Sequence, residues 1–267
     1  MRKSILTTVA VLVVVVVSVS AYFYFSGKPI EKGIESTVSR VMDGDTIELA
    51  NRDVIRLIGI DAPEKDQPYS DEVIGQLKQL EGKVIRMEKD TTNKDRYGRY
   101  LRYVFLDDHF INLELVQSGL VYAYIVSPDK RYEREFLEAE NVARANGVGI
   151  WARSEYSDCV ELGQFHYNAK GEDDKNLADE FFVVRNSCER AISASRWSAR
   201  NTFNSFAIPN FELGAGSEIR VTTGSGENSD REIFLSSKRP IWTNKGDVLY
   251  LKDGDGSIIL SKSYKNE

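Results

Sequence analysis

Apolar and polar positions alternate with a short period through much of this chain. From Val38 the pattern predicts strands at 38–41, 46–49 and over the apolar run Val54 to Ile60, separated by the turn residues Asp43-Gly44 and Asn51-Arg52-Asp53. Short strands broken by such turns describe a β-meander. The period then changes. Val73, Ile74, Leu77 and Leu80 recur at helical spacing over 71–80, and Gly82 follows as a stop. Strand patterns return at 83–88 and 100–106, joined by a charged loop from Lys89 to Arg99. A short helix over 111–117 ends before Gly119, and a longer one over 130–145 ends at Asn146-Gly147. The expected fold class is mainly β with α, an OB-type five-stranded Greek-key barrel carrying about three helices.

A second strand-rich unit begins near Val160, with strand patterns at 180–185, 218–222, 248–251 and 258–262 between Gly-, Ser- and Asn-rich turns. No long helical pattern interrupts them, and the expected architecture is a C-terminal β-sandwich. The first residues differ from both units. Arg2 and Lys3 precede an uncharged run from Ile5 to Phe25, long enough to cross a hydrocarbon core as a helix. Basic residues ahead of the run favour export of the chain beyond it, while Ser18-Val19-Ser20 offers small residues suited to a signal-peptide cleavage site. The expected organisation is therefore 1–26, transmembrane anchor or signal peptide; 27–34, linker; 35–153, first domain; 154–159, linker; 160–267, second domain. The expected location is the cell membrane, single-pass with the first domain outside, or secretion if the segment is cleaved.

Charge narrows the function. The chain carries a formal net charge of −6. Residues 35–153 hold 17 basic and 22 acidic side chains, a net of −5. This balance argues against a protein that holds nucleic acid through a general positive field. Any action on nucleic acid must rest on a few placed cations, with a metal. The two cysteines, Cys159 and Cys188, are either buried thiols or a bridge. A bridge, the expectation taken here, would pin the second linker to the sandwich.

Three segments concentrate charge where strands end: Asp43-Gly44-Asp45-Thr46, the stretch from Arg56 to Glu64 containing Asp61-Ala62-Pro63, and Asp95-Arg96-Tyr97-Gly98-Arg99. Arg56 lies inside an apolar run, where a lone guanidinium needs an anionic partner or ligand. Arg56 and Asp61 are five positions apart, so a regular strand would point them to opposite faces. They converge only if the chain bends near Gly59 to Asp61. Together and in order, and with Gly119-Leu120 and Gly149-Ile150-Trp151, these segments resemble the staphylococcal nuclease family over about residues 35–153.

The resemblance implies calcium-dependent hydrolysis of phosphodiester bonds in DNA and RNA, with low sequence specificity, leaving 3′-phosphates and acting outside the cytoplasm. It implies Asp45 and Asp61 as carboxylate ligands of Ca2+, with the Ala62 carbonyl as a third; the family often has threonine at that position. Glu64 is implied as the catalytic base, and Arg56 and Arg99 as the guanidinium groups that hold the phosphodiester. Tyr97 and Tyr124 are implied as nucleotide contacts. The stretch from Tyr122 to Val126 departs from the pattern, with valine where a second aromatic is expected, so either stacking is weaker or Tyr122 substitutes. Because all of these residues precede Trp151, a chain ending near Ser154 is expected to cleave unaided.

The second unit resembles a lamin tail domain, an immunoglobulin-like β-sandwich, at Phe165-His166-Tyr167-Asn168, residues 179–186, Trp242-Thr243-Asn244-Lys245-Gly246-Asp247 and residues 251–256. That fold hosts many binding roles, and an envelope polymer or a protein is the expected partner of a monomeric chain. Asp253-Gly254-Asp255-Gly256 invites comparison with a calcium loop, but Ile258 and Tyr264 stand where that loop needs glycine and glutamate, so a hairpin turn is expected. His109 and His166 read as structural. The rival functions are a non-catalytic OB-type binding module, which the full set of charged residues argues against, and an adhesin whose working part is the second unit.

Overall fold

The computed structural model describes residues 33–265, and from Glu35 onward the chain folds as one compact unit. The first strands follow the alternation. β1 (Ile34–Val41), β2 (Thr46–Leu49) and β3 (Val54–Leu57) form an antiparallel meander. β4 (Gly59–Asp61) comes next. After the first helix, β1 pairs with β5 (Val84–Glu88), which pairs antiparallel with β6 (Tyr100–Leu106). β6 then runs parallel to β3, with Arg56 opposite Leu101, and this last pairing closes a five-stranded OB-like barrel. Ile47, Ile55, Leu57, Ile85 and Val104 fill it. β7 (His109–Phe110) folds back antiparallel on the end of β6, and β8 (Tyr122–Tyr124) pairs with β4 in a separate two-stranded sheet.

Three helices pack on this frame. α1 (Ser70–Leu77) buries Val73 and Leu77 and continues into a 3-10 turn over Lys78–Leu80. Asp71 and Glu72 in its first turn complement the positive end of the helix. α2 is Ile111–Gln117 and α3 is Glu133–Ala145. The expected continuous strand from Val54 to Ile60 is broken, and the break has a cause. Gly59 adopts φ +83°, a conformation that suits glycine, and a Cβ there would lie 2.4 Å from the Phe136 ring of α3. The Ile58 carbonyl beside it is satisfied by the buried Asn112 of α2, whose Nδ2 donates at 2.9 Å while its Oδ1 accepts from the Val104 amide at 2.9 Å.

The C-terminal half holds β9 (Val160–His166), β10 (Phe181–Asn186), β11 (Ile192–Ala194), β12 (Ser198–Arg200), β13 (Ser205–Ala207), β14 (Phe211–Leu213), β15 (Glu218–Thr222), β16 (Glu232–Phe234), β17 (Gly246–Lys252) and β18 (Ile258–Lys265). They form four-stranded sheets in the orders β16-β15-β10-β9 and β13-β12-β17-β18, and a two-stranded ribbon of β11 and β14. β15 and β16 run parallel; the other pairs in these sheets are antiparallel. Trp197, Trp242, Phe182 and Leu249 lie in their common core. The Asp253–Ser257 stretch makes the β17–β18 hairpin turn, with Asp253 Oδ1 accepting from the amides of Asp255 and Ser257. Cys159 and Cys188 are bridged, as expected.

The two halves are knit together. Tyr122, Ala143, Ile150, Trp151 and Tyr250 form a separate buried cluster that draws on both. Ile258 bonds through its backbone to Ala152 and Ser154. The expected linker over 154–159 is thus anchored at both ends, by β18 and by the bridge. Buried side chains of this size contribute about 1.5–3 kcal/mol each, enough to make the junction a persistent contact.

The membrane expectation is corrected. Among the described residues no helix is long and apolar enough to cross a membrane. The expected anchor over 1–26 lies outside the described residues, and the single-pass membrane placement, with the membrane as partner, is withdrawn. Nor do the sheet orders by themselves establish an immunoglobulin-like sandwich.

Candidate active site

The bend at Gly59 is what builds the site. It lets β3 deliver Arg56 and β4 deliver Asp61 to the same place, so the condition for their convergence is met. Arg56 Nη2 lies 2.8 Å from Asp45 Oδ2 and 3.9 Å from Asp61 Oδ1, while Nη1 donates to the Leu57 carbonyl at 2.5 Å. Asp45 reaches this point from the β1–β2 turn. There Gly44 is required by crowding, because a Cβ would lie 2.6 Å from that of Ala62. Asp45 also accepts from Thr46 Oγ1 at 3.0 Å and from the Ala62 amide at 3.3 Å. Burial is the main influence on its carboxyl and pushes it up to about 6, against the lowering effect of Arg56.

Arg99 arrives from the loop before β6. Its Nε pairs with Asp95 Oδ2 at 2.7 Å, and its Nη1 donates to Thr46 Oγ1 at 3.3 Å. Burial alone would raise the Asp95 carboxyl, but bonds from the Arg99 side chain and from the amides of Arg99 and Tyr97 outweigh it and hold it low. Tyr97 is 70% exposed, with the Arg96 guanidinium 4.8 Å from its ring centre. Glu64 is exposed at the mouth, just beyond Pro63, its amide donating to Gln67 Oε1 at 3.2 Å.

One cleft of about 790 Å³ is lined by all eight expected residues: Asp45, Arg56, Asp61, Ala62, Glu64, Tyr97, Arg99 and Tyr124. The family model for staphylococcal nuclease homologues matches residues 54–153. The thermonuclease of Staphylococcus intermedius is 34% identical over 165 residues, covering 55% of this chain and 98% of that protein. This chain belongs to the staphylococcal nuclease family. It is a thermonuclease-like hydrolase. The thermonuclease of Staphylococcus hyicus is 31% identical over 160 residues, covering 55% of this chain and 95% of that protein. Endonuclease YncB of Bacillus subtilis is 32% identical over 139 residues, covering 47% of this chain and 65% of that protein.

The structure adds two residues to the site that sequence reasoning missed, both from the C-terminal half. Arg200 Nη2 bonds Asp61 Oδ2 at 2.9 Å, and its guanidinium lies 3.5 Å over the ring centre of Tyr122. Phe203 lines the cleft and meets Tyr124 edge-to-face, with ring centres 5.7 Å apart. Tyr122 itself is buried, and burial pushes its hydroxyl up to about 12. It is covered by Arg200 and Trp151, so the suggestion that it replaces the missing stacking aromatic is corrected. The contact of Arg200 with Asp61 also weighs against a self-sufficient chain ending near Ser154. No signal around residue 200 marked it: Ser198-Ala199-Arg200 reads as an ordinary short strand.

The donor set fits a hard cation. Asp45 and Asp61 both present carboxylate oxygens to one guanidinium nitrogen, so two carboxylates share the positive charge of Arg56 here. Among the described residues no group of three or more His, Cys, Asp or Glu side chains gathers as a metal cluster.

Proposed function

We propose that this protein hydrolyses phosphodiester bonds in DNA and RNA, with low sequence specificity, leaving 3′-phosphates. Asp45, Asp61 and the Ala62 carbonyl would hold Ca2+, an ion that takes about six to eight oxygens and so keeps room for water and a phosphate oxygen. When bound, that ion supplies positive charge and orients water and phosphate. Glu64 accepts a proton from the attacking water. Arg56 and Arg99 hold the phosphoryl oxygens through their planar forks and oppose the charge that develops as the P–O5′ bond breaks. Residues 35–153 and 160–267 form the two domains of this reading, the second an immunoglobulin-like sandwich of the lamin-tail kind. Its two four-stranded sheets around a tryptophan-rich core favour that assignment.

The observation that carries the reading is the convergence of Arg56 with Asp45 and Asp61, inside one cleft that also contains Glu64 and Arg99. A binding-only OB module has no need to bury a carboxylate beside a second one. The test is Glu64→Gln, which keeps size and removes basicity. Turnover on DNA should fall by at least about a hundredfold, while calcium-dependent binding persists. Near-normal turnover in the folded variant would sink the base assignment. Undiminished wild-type activity in excess chelator would sink the calcium mechanism.

A further inference from the structure

Val126 is 47% exposed in the cleft and offers no ring, and Tyr122 is buried. The aromatic that stands beside Tyr124 is Phe203, from the turn between β12 and β13 in the other half of the chain. We propose that Phe203 and Tyr124 form the nucleobase subsite of the cleft, so that the C-terminal half is part of the substrate-binding surface. This rests on the nuclease reading given above.

Phe203 remains 49% exposed, although it belongs to a chain half with an extensive apolar core that could have taken it. Its turn is held outward by its neighbours. The buried Asn201 accepts through Oδ1 from the amides of Phe203 at 2.8 Å and Asn204 at 2.6 Å, and donates through Nδ2 to the Ile241 carbonyl at 2.5 Å. Thr202 is fixed by its amide and hydroxyl, both donating to Asp247 Oδ1 at 3.0 and 2.7 Å. Three residues earlier, Arg200 docks the same hairpin on Asp61. The ring is therefore presented at a fixed position relative to the barrel.

The geometry suits a base. The rings of Phe203 and Tyr124 stand at 84° to each other, so they make a corner and not a closed stack. Arg56 and Arg99 line the same cleft, which places cations for a phosphate and a π-surface for the attached base within one cavity. Apolar rings stack on any base, so such a corner adds affinity without sequence preference.

The test uses the full-length chain carrying Glu64→Gln, so that the probe is not consumed. Binding of a fluorescein-labelled single-stranded oligodeoxynucleotide is compared with that of an abasic strand having the same phosphates. Phe203→Ala should weaken binding of the base-bearing strand by about five- to 150-fold, the range that stacking contributes per base, and leave the abasic strand unaffected. Phe203→Leu, which keeps apolar contact without a π-face, should resemble Phe203→Ala, and Phe203→Trp should retain binding. Unchanged affinity for the base-bearing strand would overturn the proposal. So would an equal loss for both strands, which marks a purely structural role. Because the readout is base-dependent binding without turnover, it is separate from the cleavage test that decides the nuclease reading.

Discussion

Replacing Arg200 with methionine tests whether the second half of the chain holds the first in shape. Arg200 is only 5% exposed and makes two contacts across the junction: an ion pair to Asp61 at 2.9 Å and a face-on contact with Tyr122 at 3.5 Å. Removing one partner of a fully buried pair costs about 3–5 kcal/mol. The loss here is smaller, because the Asp61 side chain is 24% exposed and keeps Arg56 at 3.9 Å. A desolvated cation–π contact contributes about 2 kcal/mol. Two effects run the other way. Arg200 Nε is buried without a partner, and Lys252 Nζ lies over the same tyrosine ring, so methionine relieves an orphaned donor and a like-charge repulsion. The balance is a loss of about 2–3 kcal/mol. For a protein of this size that lowers the melting temperature by about 4–12 °C. Thermal unfolding measured by circular dichroism without metal reads the effect directly. Asp61 also loses a competing cation, so calcium should bind more tightly by calorimetry even as stability falls. A melting temperature within about 1 °C of the wild type, well under the shift expected from the size scaling, would refute the idea that this guanidinium ties the halves together.

Two further outcomes concern buried groups. Burial lowers the ammonium of Lys252 to about 7, with Arg200 adding to the effect, while its Nζ donates to the Ile150 carbonyl at 2.7 Å. Its folded value lies below the unfolded one, near 10.5, so the unfolded chain binds the extra proton between them. The contribution of this lysine to stability is therefore fully present above about pH 10.5 and lost as pH falls through about 7; urea midpoints of Lys252→Met should be flatter across that window than those of the wild type, and parallel curves would exclude the buried charge. Gly59→Ala places a Cβ against Phe136 at φ +83° and should cost about 2–4 kcal/mol from overpacking and a left-handed backbone, with turnover reduced as Arg56 and Asp61 separate; a variant of wild-type stability would show that the bend does not depend on glycine.

The barrel was largely readable because its signals are local. Strand alternation at 46–49 and 100–106 and helical spacing at 111–117 coincide with β2, β6 and α2. That the expected charged residues share one cleft was readable for a different reason: they cluster at strand ends, and their order carries a family resemblance. What escaped was non-local. The break after Leu57 depends on Phe136 of α3 lying against Gly59, a contact between positions far apart in the chain. In the C-terminal half, β11, β12, β13, β14 and β16 are three residues each, too short to show a period. Arg200 and Phe203 lie on and beside such a strand, and nothing local distinguishes them from surface residues.

Charge explains why the second half is drawn into the cleft. In an acidic barrel three of the cleft carboxylates each face an arginine: Asp45 faces Arg56, Asp95 faces Arg99 and Asp61 faces Arg200. In the proposed mechanism the first two arginines engage the phosphate, which would loosen their hold on Asp45 and Asp95. Asp61 is different, because its closest cation comes from outside the barrel and is buried against Tyr122, where an incoming phosphate cannot compete for it. The barrel alone would leave Asp61 with only the longer contact to Arg56, and Asp61 would then share that guanidinium with Asp45 and with substrate. Arg200 comes from outside the barrel and takes the closer contact with Asp61, which in the proposed mechanism would leave Arg56 available to phosphate while Asp61 stays in place. The same hairpin that brings this cation to Asp61 also places Phe203 beside Tyr124 in the cleft, so one element of the second half meets both an acidic and an aromatic residue of the site.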